Sequence, residues 1–452
     1  MQRIRLRQRP DTATVLYNLA MLVLSPFLVL WVIYRIVIKG KSRKGFLERL
    51  GYLPKSLSNL GRGEDPVVWI HAVSVGEVGA AEPVIHEFSL REPHAPMVLS
   101  TMTPTGRAMA ERKQLEAAGP FFFPFDLSWV ADKVLDQLNP AMIVLLEGEL
   151  WPNVLAAAKR RYIGTCVINA RFSDRAFQRA RLVKPFYHWL LEKVDQVCAQ
   201  SQGDAERYIS LGAPADRVKV TGNTKFDERF PEVSEAEAQF MRTEFGFAPD
   251  APVLVAGSTH PGEEEQVLDA FAHLRADHPG TELVLAPRHP ERGDQVSELV
   301  ERFGFQVYRR SFAASGQEQA EPTGPQARVV VLDTIGELAR VYALASVVFV
   351  GGSLVKIGGH NILQPLAQGK PVLVGPHMAN FRDVLDIAQQ AQAVDIVRTA
   401  EELRRAVENL LQSPEAAAER RERGLKMIAE QRGASERIAE ALVELLHQST
   451  GT

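Results

Sequence analysis

Charged side chains recur in one setting along this chain: directly after a short apolar run, where a strand would end and a helix begin. His71-Ala-Val-Ser-Val-Gly-Glu77 closes the first such run. Glu77 then falls in the first turn of a helix, where the positive end of the helix dipole favours an ionised carboxylate. Such a group at the lip of a cleft can take a proton as a general base, and the same position equally suits a helix cap. Glu147 ends the run MIVLL and Glu149 follows it, as helix-start residues or as cleft residues. Asn169-Ala-Arg171 closes another run, and Lys225 stands in Thr221-Gly-Asn-Thr-Lys-Phe-Asp227. Lys225 is either a surface lysine or a point charge for a carboxylate or phosphate.

The second half repeats the setting with a different chemistry. Ser258-Thr-His260-Pro-Gly-Glu263-Glu264 follows its first run, and Ala286-Pro287-Arg288-His289 follows its second. Arg288 is placed to fork onto a phosphate. Asp333-Thr-Ile335-Gly336-Glu337 follows a third run. Gly351-Gly352 and Gly358-Gly359 flank Lys356 and lead into a helix over 362–368, the makings of a backbone cradle for phosphate. The spacing is not that of a Walker loop or of a dinucleotide fingerprint. His260, Glu263, His289, His360 and His377 match no metal-binding spacing, so structural or substrate-binding roles are expected of them and no metal.

These groups need a scaffold, and the apolar pattern supplies one. Strand-like runs at 67–73, 96–100, 121–123, 142–146, 165–169 and 196–199 alternate with helical spacing at 77–90, 105–118 and 130–137. The series resumes at 253–256, 283–286, 306–308, 329–332, 347–350 and 371–374, and helices follow at 400–411 and 415–446. Strand–helix alternation with short loops predicts parallel sheets with helices on both faces. The expected architecture is α/β: two Rossmann-like doubly wound domains facing a central cleft, since ligands of such sheets bind beyond the carboxyl ends of the strands. The domain over 45–230 would be followed by a linker over 231–252 and a second domain over 253–452. The segment 313–326, rich in Gly, Pro and Gln, reads as a mobile surface loop.

Residues 1–44 differ from the rest. Four arginines lead into 15–38, VLYNLAMLVLSPFLVLWVIYRIVI, long enough to span a ~30 Å hydrocarbon core as a helix. A membrane anchor is the expectation, with a cleaved signal peptide, a buried core helix or a monotopic anchor as alternatives. The stronger basic flank, Lys39 to Arg49, places the large C-terminal part on the cytoplasmic side. The formal net charge of −3 gives no reason to expect nucleic acid as a partner. Two cysteines, Cys166 and Cys198, exclude a disulfide scaffold and a cysteine zinc site.

Taken in order, HAVSVGE (71–77), STMTPTG (100–106), EGELWPN (147–153), NARFS (169–173), TGNTKFD (221–227), STHPGEE (258–264), APRHPER (286–292), DTIGEL (333–338), GGSLVKIGGHN (351–361) and GPHMANF (375–381) resemble the 3-deoxy-D-manno-octulosonic acid (Kdo) transferases of lipopolysaccharide synthesis. The resemblance implies a GT-B fold, CMP-Kdo as donor, the lipid A precursor as acceptor at the cytoplasmic face of the inner membrane, and inverting transfer without a cofactor or an active-site metal. It makes Glu77 the general base, and Glu147 and Lys225 the groups that stabilise the transition state. It assigns the CMP contacts to Pro287 and Arg288, to Ile335, Gly336 and Glu337, and to Asn361, Ile362, Leu363 and Gln364. The family's pattern carries glutamate where this chain has Gln364, which keeps one acceptor oxygen, adds donors and removes the charge. The rival readings are a GT-B transferase of another nucleotide sugar, such as a UDP-sugar, and a membrane-bound sugar-binding protein without catalysis.

Overall fold

The computed structural model describes residues 9–33, 45–60, 62–63, 65–315 and 328–451. Two compact units divide the chain: Met1–Glu228 with Gln431–Thr452, and Arg229–Glu430. The division departs from the expected domains at both ends of the second unit. Helix Glu235–Phe245, inside the expected linker, belongs to the second unit, and the last helix returns to the first. The helix expected over 415–446 is two, Pro414–Gln431 and Ala434–Thr450, broken at Gly433 with φ +89°. A left-handed φ is open to glycine at little cost, and the break is where the chain crosses back.

The first unit holds a seven-stranded parallel sheet. Its strands are β1 (Val68–His71), β2 (Met97–Thr101), β3 (Ala118–Phe122), β4 (Met142–Leu146), β5 (Gly164–Ala170), β6 (Gln196–Ala199) and β7 (Val218–Val220), in the order β3-β2-β1-β4-β5-β6-β7. β1, β4 and β5 are buried along their whole length. Both faces are covered, which is why these strands read as continuous apolar runs with no alternation. One face packs Trp69, Phe121, Phe123 and Ile143. The other packs Ile70, Val144 and Ile168 against helix Val75–Arg91 and against Ile438, Leu442 and Leu446 of the last helix.

The second unit holds another seven-stranded parallel sheet: β8 (Val253–Thr259), β9 (Glu282–Pro287), β10 (Gln306–Arg309), β11 (Arg328–Val331), β12 (Val347–Val350), β13 (Val372–Val374) and β14 (Val394–Ile396), in the order β10-β11-β9-β8-β12-β13-β14. Strand order reverses between β1 and β4 in the first sheet and between β8 and β12 in the second, where β11 is also inserted between β10 and β9. Loops leaving the two strands at each reversal part to opposite faces and leave a crevice, the usual ligand site of such sheets. The predicted polar loop 313–326 lies, from 316 onward, outside the described residues.

The expected anchor begins as helix Thr12–Ile33, and among the described residues no helix is long and apolar enough to cross a membrane. Residues 34–38 of the expected anchor lie outside the described ones. The start of the helix is tied sideways to its own unit by polar groups. The Tyr17 hydroxyl donates to Asp126 (3.1 Å), Asn18 Nδ2 to Asn153 (2.9 Å), and Lys193 Nζ and Trp189 Nε1 to Asp11 (2.7 and 3.1 Å). Burial raises the Asp11 carboxyl, but Lys193 and the Thr14 N–H pull it further down, to about 2. The opposite side presents Leu16, Leu19, Leu22 and Val23, which are 54 to 74% exposed.

Candidate active site

The reversal in the first sheet brings together the acidic groups predicted from sequence. After β1 the chain turns through Val73 and Ser74 into helix Val75–Arg91, and Glu77 occupies its third position. Glu77 Oε2 accepts the Val73 N–H (2.8 Å), and the Ser74 hydroxyl donates to Oε1 (3.3 Å). The carboxylate therefore caps the turn, and it is buried. Burial pushes its pKa up to about 7, against the Val73 N–H, with Glu147 and Glu149 pushing the same way. The expectation that the helix dipole keeps this group ionised is corrected: desolvation outweighs it.

Glu147 leaves β4 with φ +55°, a left-handed conformation that a β-carbon disfavours. The Tyr208 hydroxyl holds its carbonyl (2.9 Å). Its carboxylate faces two cations, Arg171 Nε at 3.2 Å and Lys225 Nζ at 3.5 Å. Asn169 at the end of β5 and Ser258 at the end of β8 also have positive φ, +50° and +56°. Backbone strain of this kind persists only where surrounding structure enforces it, and it gathers at functional sites.

Lys225 is fixed from below. It lies on the short 3-10 turn Thr224–Asp227, whose Thr224 and Phe226 are buried. The Asn169 side chain accepts the Thr224 N–H (3.1 Å), and the Asn223 side chain accepts that of Lys225 (3.0 Å). Asp227 accepts the N–H groups of Gly433 and Ser435 (2.7 and 2.6 Å) and the Ser435 hydroxyl (2.6 Å). Arg437 Nε donates to the Thr221 carbonyl (2.8 Å). The last helix thus braces the lysine loop. Sequence reasoning quoted Asp227 but gave it no part; its partners lie over two hundred residues away.

The reversal in the second sheet gathers a different set. Pro287 is buried at the end of β9, and Arg288 is exposed, its N–H donating to the Thr259 carbonyl (2.9 Å). Ile335 is 72% exposed. Gly336 has φ +93°. Glu337 is already occupied: Arg310 forks onto both its oxygens (2.9 to 3.2 Å) and the Thr334 hydroxyl donates to it. Burial raises this carboxyl, but Arg310 and Thr334 outweigh it, so the net shift is downward. Arg309 likewise grips Asp333. Asn361 accepts the Leu363 N–H (2.9 Å). Ile362 and Leu363 are buried, so only their backbones can meet a ligand, and Gln364 is half-buried. The helix behind them is short, Leu363–Ala367.

Two features here were missed from sequence. Glu263 is fully buried, and its carboxylate accepts four backbone N–H groups, from His260, Gly352, Ser353 and Leu354 (2.6 to 3.0 Å). Arg310 orders the Thr334–Glu337 turn. Neither residue stands in a spacing that announces its role.

The comparisons agree with this architecture. A family profile described as 3-Deoxy-D-manno-octulosonic-acid transferase (kdotransferase) matches residues 44–228. The 3-deoxy-D-manno-octulosonic acid transferase of Haemophilus influenzae is 32% identical over 96% of this chain and 99% of its own length. That of Bordetella pertussis is 34% identical over 95% of this chain and 99% of its own. The structure of UDP-GlcNAc 2-epimerase from Neisseria meningitidis, 16% identical, aligns with a TM-score of 0.55 over 84% of this chain and 100% of that one, a likeness of fold: GT-B-like, with two parallel sheets. Near full-length kinship above 30% identity, together with strand-end residues in the places the motifs require, makes this chain a glycosyltransferase that belongs to the 3-deoxy-D-manno-octulosonic acid transferase family.

Proposed function

We propose that the protein moves Kdo from CMP-Kdo onto a hydroxyl of the lipid A precursor in one inverting displacement. The observation that carries this reading is Glu77, a buried carboxylate whose pKa of about 7 suits a base at neutral pH. The acceptor oxygen bonds to the anomeric carbon as its proton passes to Glu77. The bond from that carbon to the CMP phosphate breaks, and CMP leaves with the electron pair. Arg288 offsets the charge gained by the leaving phosphate, and Lys225, held against Glu147, supplies positive charge on the acceptor side. Family kinship supports the sugar and the nucleotide. Gln364 leaves the ribose to neutral hydrogen bonds, because Glu337 is held by Arg310.

The acceptor is a lipid, and we place the enzyme at the cytoplasmic face of the inner membrane. What supports this is the exposed apolar side of helix Thr12–Ile33, together with exposed Leu182 and Val183 between Arg179, Arg181 and Lys184. An apolar strip rimmed by cations suits an anionic bilayer surface, with the helix lying along it. The test is direct: purified protein is given CMP-Kdo and lipid A precursor, and the product is read by mass spectrometry. A mass gain of one or more Kdo units is expected. Transfer from a UDP-sugar, with none from CMP-Kdo, would overturn the reading.

A further inference from the structure

Two histidines that the mechanism above does not use meet at the reversal of the second sheet. His260 follows β8, and His360 closes the glycine-rich loop after β12. Their Nε2 atoms are 2.8 Å apart, and their ring planes differ by 5°. Facing nitrogens at that distance need one N–H and one lone pair. The neutral pair carries two ring protons, and a singly charged pair carries three. A fourth would set two N–H groups head to head. The pair therefore has room for one more proton.

The backbone is shaped to let the rings meet. Gly352 has φ +67°, and a β-carbon there would lie 2.8 Å from His360 Cδ2 and 3.5 Å from His260 Cδ2. Glu263 holds the same loop in place through the N–H groups of His260 and Gly352. The charged groups around the pair are Arg288, Arg292 and His289 beyond β9, and Glu264 at the start of helix Glu264–Asp277. Arg292 pairs with Glu264 (2.8 Å); Arg288 is the leading charged neighbour of His360, and His289 that of His260. Burial first, then Arg288, hold His360 down to about 4, and burial lowers His260 as well. Without a ligand the pair is neutral at pH 7. An anion brought to Arg288 offsets that arginine's share of what keeps the extra proton off, and itself attracts the proton.

We propose that His260 and His360 form a proton-sharing pair in the donor site, and that the pair takes up one proton when the phosphate of the nucleotide binds beside Arg288. The inference rests on the reading of this region as the CMP site. The charged pair then donates its new N–H toward an anion, so donor affinity falls as pH rises.

Titration calorimetry with CMP at pH 7.5, in two buffers of different ionisation heat, tests this. A phosphomonoester with a second pKa near ~6 is already dianionic there, so uptake reports on the protein. We expect uptake of a large fraction of one proton with CMP and none with cytidine. His260→Asn and His360→Asn should lose most of the uptake and bind CMP roughly tenfold more weakly, the scale of one charge-assisted hydrogen bond. His289→Asn should keep the uptake. Thermal unfolding checks that each variant is folded; if the pair variants do not fold, the comparison of CMP with cytidine on the wild type decides alone. Equal heats of CMP binding in both buffers, or wild-type uptake in either pair variant, overturn the proposal. Absence of any CMP binding overturns the donor reading itself, and this proposal with it.

Discussion

The two sheets reverse their strand order in the same way but equip the reversal oppositely. At β1 and β4 the carboxylates are unequally matched: Glu147 faces Arg171 and Lys225, Glu77 only neutral donors. Glu77 is buried with one N–H and one hydroxyl for company, and Glu147 and Glu149 press its pKa upward. At β8 and β12 each acid has strong donors: Glu263 has four N–H groups, although burial still raises its pKa, Glu337 has an arginine fork and Asp333 another. One fold thus yields a place where a carboxylate is poised to take a proton and a place where carboxylates serve to hold the backbone. The balance between desolvation and donors separates them.

The comparison breaks most sharply at Glu77. Glu77→Gln should lower turnover by about 10²–10⁴, the usual worth of a positioned base, while CMP still binds. Near-normal turnover in steady-state assays would remove Glu77 from the chemistry. Its pH dependence follows with a definite sign. The base is the deprotonated form, so turnover at saturating substrates should rise with pH and level off above about 7, and Glu77→Gln should flatten that rise.

The matched site should respond in stability instead. Glu263→Ala strands four buried N–H groups, each worth about 1–3 kcal/mol, and relaxation of the loop should leave a net loss of several kcal/mol. Denaturant unfolding followed by a probe in the second unit reads this, and a loss below about 1 kcal/mol would show that the loop does not need its internal anion. The two acids also link to pH with opposite signs. Glu337, lowered in the fold, contributes stability that is present above its unfolded pKa and lost as pH falls. Glu77, raised in the fold, is stabilising only while protonated, so its contribution is lost as pH rises toward about 7. Pairing each acid with its glutamine variant across pH separates them.

Asp227→Ala tests the bracing of Lys225. Losing a charged helix cap costs about 0.5–2 kcal/mol. If the brace matters to chemistry, turnover should fall by more than the unfolded fraction explains, without change in CMP affinity. A fall in stability alone would confine Asp227 to capping. The smallest effect is expected at Leu19→Ser on the exposed side of the first helix: stability within ~0.5 kcal/mol of wild type, with weaker binding to anionic vesicles in flotation assays.

Much of this arrangement was readable from sequence, for a physical reason. Parallel strands covered on both faces must be continuous apolar runs, so β1, β4 and β8 stand out, and the residues after them fall at the ligand edge. That placed Glu77 after β1, Glu147 after β4 and Arg288 after β9; Lys225 follows β7, a short and largely exposed strand that the apolar pattern does not mark. What escaped depends on distance along the chain. The last helix reads like its neighbour because helical periodicity is local, and only the φ of Gly433 marks the turn home. Asp227 and Arg310 find partners that no spacing reveals. The charge of Glu77 was misjudged because a dipole can be read from position, whereas desolvation needs the walls. Hydropathy likewise does not show that Tyr17 and Asn18, at the start of the first helix, have partners on the protein.

That returning helix has a consequence for how the enzyme is made. Residues 229–430 form a complete unit inserted into another, so the first unit is discontinuous in synthesis. Until 434–450 emerge from the ribosome, Ile85, Val144 and their neighbours lack Ile438 and Leu442, and the lysine loop lacks its clamp. A nascent chain would carry a finished second unit well before its first unit could close. Loss of the last helix should therefore silence the enzyme through residues that touch no substrate, and activity would have to wait until that helix has emerged.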